Sequence, residues 1–174
     1  MTYIKLDDES WSEAIDVGCV RHMLSVDQMN RNEMSPDDSW GYHVEGSCGE
    51  RAVALFLNIR WIPRINTFRG TADLAGNIEV KTRSHYNYEL LVREYDLENP
   101  TDTKLFVLVT GRSPHFDIRG WVRSEDFQTE KNNKCWRDHA KAAIRNNRPT
   151  DNIWLIPHSD LRTDWELFRT LVQP

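Results

Sequence analysis

The sequence predicts an α/β domain, a mixed α+β sheet flanked by helices. Three observations predict it. Two helical patterns open the chain, strand-like runs with a hairpin fill its middle, and a helix–strand–helix pattern closes it. At 174 residues the chain falls in the range of one domain, 1–174, long enough to bury a core without disulfide or metal staples.

Taken in order, Ser10 followed by Glu13 reads as a capping box, and Asp8 and Glu9 suit a helix N-terminus. Trp11, Ala14, Ile15, Gly18 and His22 recur at helical spacing, so a helix is expected from Ser10 to Gln28. Asn30 to Ser39 carries Asn, Ser, Pro and Asp and reads as a loop. Trp40 to Asn58 is the second helix, with Cys48 or Gly49, Ala52, Val53, Phe56 and Leu57 as its buried stripe. Pro63 stops any continuation, and Ile62 to Phe68 is a candidate first strand. Ala72 to Arg83 reads as a hairpin turning at Ala75-Gly76-Asn77. Tyr88 to Val92 is a further strand. Leu105 to Thr110, apolar or β-branched throughout, is a central strand buried on both sides. Phe116 to Val122 is the next strand, followed by a helix over Asn132 to Asn147. A short strand over Ile153 to Ile156 and a helical segment over Asp160 to Leu171 complete the chain. The organisation expected is an N-terminal helix and loop extension (1–39), a core (40–125) and a C-terminal helix–strand–helix (126–174).

Composition excludes several classes. A charged fraction of 28% and seven tryptophans belong to a folded chain, not a disordered one. No apolar run approaches the ~18 residues of a membrane span, and Met1 to Glu9 is acidic without a signal-peptide pattern, so a cytoplasmic location is expected. Cys19, Cys48 and Cys135 are an odd, scattered set that fits reduced thiols. The net charge of −5 argues against a general DNA-coating protein, but its distribution is uneven. Residues 1–50 hold three Lys/Arg against eleven Asp/Glu, residues 60–93 six against three, and residues 131–148 six against one. A polyanion is drawn to the last two segments, unless they are merely solvated faces.

The stretch with chemical content runs from Asp73 to Lys81. On a strand Glu79, Lys81 and Arg83 share one face, while Ile78, Val80 and Thr82 share the other. A three-residue loop sets Leu74 opposite Ile78 and Asp73 opposite Glu79, with Cβ atoms roughly 5 Å apart. Two carboxylates that close repel unless a cation lies between them, and a magnesium ion accepts such oxygens. Lys81, one pleat on, is placed to orient a metal-bound water or to stabilise charge on a phosphate.

Asp73 followed by Glu79-Val80-Lys81 resembles the D…(D/E)xK signature of the PD-(D/E)xK nuclease superfamily. Upstream, Gly49-Glu50-Arg51-Ala52-Val53-Ala54-Leu55-Phe56-Leu57 resembles the glutamate-bearing helix that flanks the core in many members. The likeness covers about residues 45–110. It implies a restriction-endonuclease-like αβββαβ core, here with an extra N-terminal helix, and Mg²⁺- or Mn²⁺-dependent hydrolysis of nucleic acid. It further implies that Asp73, Glu79 and the Val80 carbonyl are metal ligands, that Lys81 is catalytic, and that Glu50 binds a second metal or positions water. The whole chain is also similar to small proteins of phage genomes, which would place it in the host cytoplasm. The pattern departs from the family in several places. Ala72 replaces the motif's proline, only five residues separate Asp73 from Glu79, and Tyr88 to Val92 is strand-like where many members have a helix. Glu45 competes with Glu50, and their offset sets them about 140° apart on a helix.

Arg83 and His85 follow the lysine and are placed to touch a phosphate, with an ordinary loop histidine as the equal alternative for His85. Lys134, Arg137, Lys141 and Arg145 make one helical stripe, either a phosphate-contacting face or a solvated one. Trp61 and Trp121 could stack on bases, though packing is the commoner use. Cys19 with His22 and Cys135 with His139 have the spacing of zinc half-sites, with buried thiols and ordinary histidines the better reading. No Gly-rich phosphate loop, nucleophile elbow or HExxH string is present. The expected function is a metal-dependent nuclease acting on DNA, with RNA and a homodimer left open. The alternatives are a catalytically inactive module of the same fold that binds nucleic acid or a protein, and a structural accessory protein.

Overall fold

The computed structural model of the chain describes residues 2–28, 36–65, 72–97, 104–143 and 152–172. The chain opens with a short strand, β1 (Thr2–Lys5), which sequence reading omitted. Helix α1 (Asp8–Gln28) follows, capped by the Asp7 carboxylate, which accepts the Ser10 N–H at 2.8 Å. The cap therefore lies three residues before the expected one. Ser10 is buried inside the helix, where its hydroxyl accepts from Arg51 at 3.2 Å.

Helix α2 spans Pro36–Leu57, so residues 36–39 are helical where a loop was expected. Proline is favourable at a helix start because it lacks only an N–H that has no partner there. Asn58, at φ 55°, ends the helix in the left-handed conformation, and the Ile59 N–H returns to the Ala54 carbonyl at 3.0 Å. Cys48, Ala52, Val53 and Leu57 are buried as expected, and Phe56 is partly buried.

Strands β2 (Ile78–Arg83), β4 (Leu105–Arg112) and β5 (His115–Arg123) join β1 in a mixed four-stranded sheet of order β1-β5-β4-β2. The β2–β4 pair is parallel, with Glu79 beside Phe106 and Lys81 beside Leu108, and the other pairs are antiparallel. Strand β3 (Leu90–Arg93) pairs instead with β6 (Ile153–Ile156) in a separate two-stranded ladder. Among the described residues, the connection from β2 to its parallel neighbour thus carries β3 and the short helix α3 (Glu94–Leu97).

Alternation along β4 sets the layers. Leu105, Val107 and Val109 enter one core with residues of α1, α2 and the C-terminal helix α5 (Trp165–Leu171). Phe106 and Leu108 enter a second core with Leu90, Val92, Ile156 and Trp136 of α4 (Glu130–Ala143). Both faces of β4 are therefore dry, as its uninterrupted apolar sequence requires. Burying each such side chain contributes roughly 1.5–3 kcal/mol.

Three other boundaries differ from expectation. Residues 62–65 form no strand. Pro63 has no N–H to give, and the Arg64 carbonyl accepts from the Arg21 side chain at 3.0 Å instead of from a ladder. The remainder of the candidate first strand, residues 66–68, lies outside the described residues. The last helix begins at Trp165, not Asp160, because Arg162 exchanges both backbone hydrogen bonds with Trp121 and extends the chain there. Asp164 then caps the helix through the Leu167 N–H at 3.0 Å. The fourth helix runs from Glu130 to Ala143, and its expected continuation to Asn147 lies outside the described residues.

Candidate active site

The hairpin forms around the turn that its sequence demands. Leu74 and Ile78 exchange both backbone hydrogen bonds at 3.0 Å, enclosing Ala75, Gly76 and Asn77. Ala75 and Gly76 both take positive φ, at 44° and 74°. Extending the Leu74–Ile78 register by one residue sets Asp73 opposite Glu79. The Asp73 Oδ2 accepts the Val80 N–H at 2.8 Å, which ties the carboxylate to the outer edge of β2. Within a strand the N–H and C=O of one residue point to the same edge. The Val80 carbonyl therefore also faces the Asp73 edge, away from β4.

Two close helix contacts bring a third carboxylate to this edge. At Gly18 a Cβ would lie 2.6 Å from the Val44 Cα, so α1 and α2 cross almost backbone to backbone. At Gly49 a Cβ would lie 2.0 Å from the Thr82 Oγ1, so α2 presses directly on β2. Glu50, the next residue, is buried within electrostatic reach of Asp73 and Glu79. Glu45 is elsewhere, holding the β4–β5 turn by accepting the Ser113 N–H at 2.8 Å and its hydroxyl at 3.0 Å. The choice between the two glutamates falls on Glu50.

Two groups that sequence reading missed complete the arrangement. Arg21 of α1 clamps Glu50 in a bidentate pair, at 2.6 and 2.9 Å. Its signal was present, since Ala14, Val17, Gly18, Arg21 and Ser25 share one helical face and Arg21 is one of only three basic residues in the first fifty. Asp96 of α3 is buried and accepts the Arg93 N–H at 2.8 Å and the Lys81 Nζ at 3.0 Å. Lys81 also donates to Glu79 at 3.1 Å, so its ammonium sits between two carboxylates. No periodicity links residue 96 to residue 81, and only the fold joins them.

Four acids, Glu50, Asp73, Glu79 and Asp96, thus face Arg21 and Lys81. Burial, and then the charges of Glu50 and Glu79, hold the Asp73 carboxyl well above the usual carboxylate range. Burial also raises Glu50, against the opposing pull of Arg21. Burial disfavours the charge on Lys81, but Glu79 and Asp96 outweigh it and hold the ammonium above its ordinary value. The edge carries more negative charge than its own cations offset.

No family model, curated protein or solved structure matches the chain.

Asp73, Glu79 and the Val80 carbonyl are all oxygen donors, the kind a hard divalent ion takes, and the surplus charge fits such an ion. Among the described residues, no three His, Cys, Asp or Glu side chains are placed to share one metal. Glu50 in particular has its oxygens committed to Arg21. Among the described residues neither zinc half-site meets another; Cys19 is half-buried and Cys135 exposed, not the buried thiols expected, while burial pushes the Cys48 thiol up to about 12.

The remaining candidates divide. Arg83 lies over the Tyr88 ring at 5.0 Å, and His85 is exposed beside Tyr86 and Tyr88. Lys134 and Lys141 are exposed on α4. Arg137 is half-buried over Trp154 at 4.3 Å and 3.9 Å from Glu94, so it serves packing rather than an open phosphate face. Arg145 lies outside the described residues. Trp121 and Trp61 are buried and do not present rings to bases; Trp121 packs on Phe168 at 5.2 Å. Among the described residues, no helix is long and apolar enough to cross a membrane.

Proposed function

We propose that this chain is a metal-dependent nuclease whose centre is the β2 edge, with Asp73, Glu79 and the Val80 carbonyl as the metal-holding set and Lys81 as the catalytic lysine. The observation that carries the reading is the bond from the Val80 N–H to Asp73, which fixes one carboxylate across the hairpin from Glu79 and beside an ion-paired lysine. A helix bearing a buried glutamate, a tight hairpin, and a parallel neighbour for the strand with the E-x-K residues support a restriction-endonuclease-like core. The connection through β3 and α3 departs from the helical one usual in that fold.

A bound Mg²⁺ or Mn²⁺ would supply a polarised phosphoryl oxygen and a water of lowered pKa. The chain's own groups do the rest. Lys81 sets a fixed positive charge beside the carboxylates, where a phosphate gains negative charge. Asp96 acts through Lys81, as a positioning residue that holds its Nζ at 3.0 Å. Glu50 adds negative potential behind Asp73 while Arg21 keeps its oxygens in place. The substrate class proposed is DNA.

The test is cleavage of plasmid and linear DNA with Mg²⁺ or Mn²⁺. Cleavage abolished by Lys81→Ala and by Asp73→Asn, in proteins that remain folded, supports the mechanism; cleavage that survives Lys81→Ala overturns it. A second reading is favoured by one observation. Both basic groups at the edge are already fully ion-paired, Arg21 to Glu50 and Lys81 to Glu79 and Asp96. Cations so engaged suit a module that keeps the fold and binds nucleic acid without cutting it. Binding indifferent to EDTA, with no cleavage under any divalent ion, selects that reading.

A further inference from the structure

One pleat beyond Lys81, the same face of β2 ends in Arg83 and runs into an aromatic turn. The Tyr88 N–H closes this turn on the His85 carbonyl at 3.0 Å, and the Tyr88 carbonyl meets the His158 ring nitrogen at 2.9 Å. The turn is therefore anchored at its base. Its rings nevertheless face water: Tyr86 is 60% and Tyr88 47% exposed. His85 stacks on Tyr86 with centroids 5.3 Å apart and planes at 26°, and it lies 5.6 Å from Tyr88. The Arg83 guanidinium covers the Tyr88 ring at 5.0 Å, and its buried Nε makes no hydrogen bond. Arg93, close enough to influence Arg83 electrostatically, is itself engaged by Tyr95, lying 5.8 Å from its ring and donating to its hydroxyl at 2.7 Å. Nearby acids are engaged elsewhere, Glu89 with His139 at 2.8 Å and Glu94 with Arg137 at 3.9 Å.

We infer that Arg83, His85, Tyr86 and Tyr88 form a stacking platform for the bases of a single-stranded nucleic acid, delivering an unpaired strand to the neighbouring edge. The inference rests on reading that edge as a nucleic-acid site and narrows its substrate to single strands. Exposed π-faces are useful only to bases whose own faces are open, and a duplex hides those faces in its stack. The Arg83 guanidinium beside the rings complements a backbone phosphate. Anchoring the turn reduces the ordering cost of binding.

The test is fluorescence anisotropy in EDTA, so that no cleavage is needed, with labelled oligodeoxyuridylate, oligouridylate and a duplex of equal length. The wild-type chain should bind one or both single strands at least about tenfold more tightly than the duplex. The tighter of the two identifies the sugar. Tyr86→Ala/Tyr88→Ala should lose at least about tenfold in single-strand affinity, while Tyr86→Trp/Tyr88→Trp should retain it. Duplex binding equal to single-strand binding overturns the inference, and so does alanine-variant binding unchanged in a protein with a native circular dichroism spectrum. Tyrosine-dependent binding of single strands without cleavage under Mg²⁺ sinks the nuclease reading alone. Duplex cleavage indifferent to the tyrosines sinks this inference alone.

Discussion

Replacing Arg21 with methionine removes the guanidinium but keeps most of the volume of its stem. In the folded chain the Arg21 and Glu50 side chains are only 15% and 6% exposed, so water screens the pair little. Breaking a buried pair by deleting one partner leaves the other charge uncompensated, which costs about 3–5 kcal/mol. A chain of this size loses roughly 2–4 °C of Tm per kcal/mol, so a drop of about 6–20 °C is expected. Deleting both charges, in Arg21→Met/Glu50→Leu, should recover most of that loss, since an apolar pair of similar volume is often neutral. The deficit of the single variant should also shrink towards about pH 4, where an unpaired Glu50 takes up a proton. Urea unfolding followed by tryptophan fluorescence measures all three. A single-variant loss below about 1 kcal/mol, or a double variant no more stable than the single one, would refute the reasoning.

Other outcomes follow from the same geometry. Asp73 has its carboxyl raised in the folded chain, so the stability it contributes is present below its unfolded value of 3.8 and is lost as pH rises through the folded value. Asp73→Asn, which can still accept the Val80 N–H, should therefore be more stable than wild type at mildly alkaline pH and match it near pH 4, as urea midpoints across pH will show. Gly49→Ala places a methyl 2.0 Å from the Thr82 Oγ1 and should cost about 1–3 kcal/mol. Adding Thr82→Ala should relieve part of that cost, since the Thr82 hydroxyl is buried without a hydrogen bond; equal losses in the single and double variants would contradict the contact. Glu45→Ala removes two hydrogen bonds to Ser113 and should lower stability by about 1.5–3 kcal/mol, read as a fall in Tm.

The hairpin was legible because its determinants are local. Ala75-Gly76-Asn77 specify the bend, and alternation from Ile78 to Thr82 specifies which side chains share a face. The central strand was legible too, since only a strand covered on both sides can be apolar from Leu105 to Val109. What stayed hidden depends on partners distant in sequence. Thr2–Lys5 becomes a strand only by pairing with residues 115–118 of β5, and four residues carry too little pattern to announce it. Residues 62–65 have strand propensity but spend a carbonyl on Arg21. Leu161–Asp164 looks helical until Trp121 claims both backbone groups of Arg162. In the candidate site, Asp73, Glu79 and Lys81 are neighbours along one hairpin and could be read directly. Arg21 reaches Glu50 across 29 residues and Asp96 reaches Lys81 across 15, contacts that arise only when α1 crosses α2 and α3 folds back over β2. The glutamate ambiguity was of the same kind: helix geometry alone separates Glu45 from Glu50, but it takes the Gly49–Thr82 contact to choose between them.

The most direct measurement is anomalous diffraction from crystals soaked in Mn²⁺. The account predicts a peak bounded by the Asp73 and Glu79 carboxylates and the Val80 carbonyl, absent from Asp73→Asn crystals treated alike. Saturating Mn²⁺ that leaves this edge of β2 without a peak, or a peak indifferent to Asp73→Asn, would contradict it.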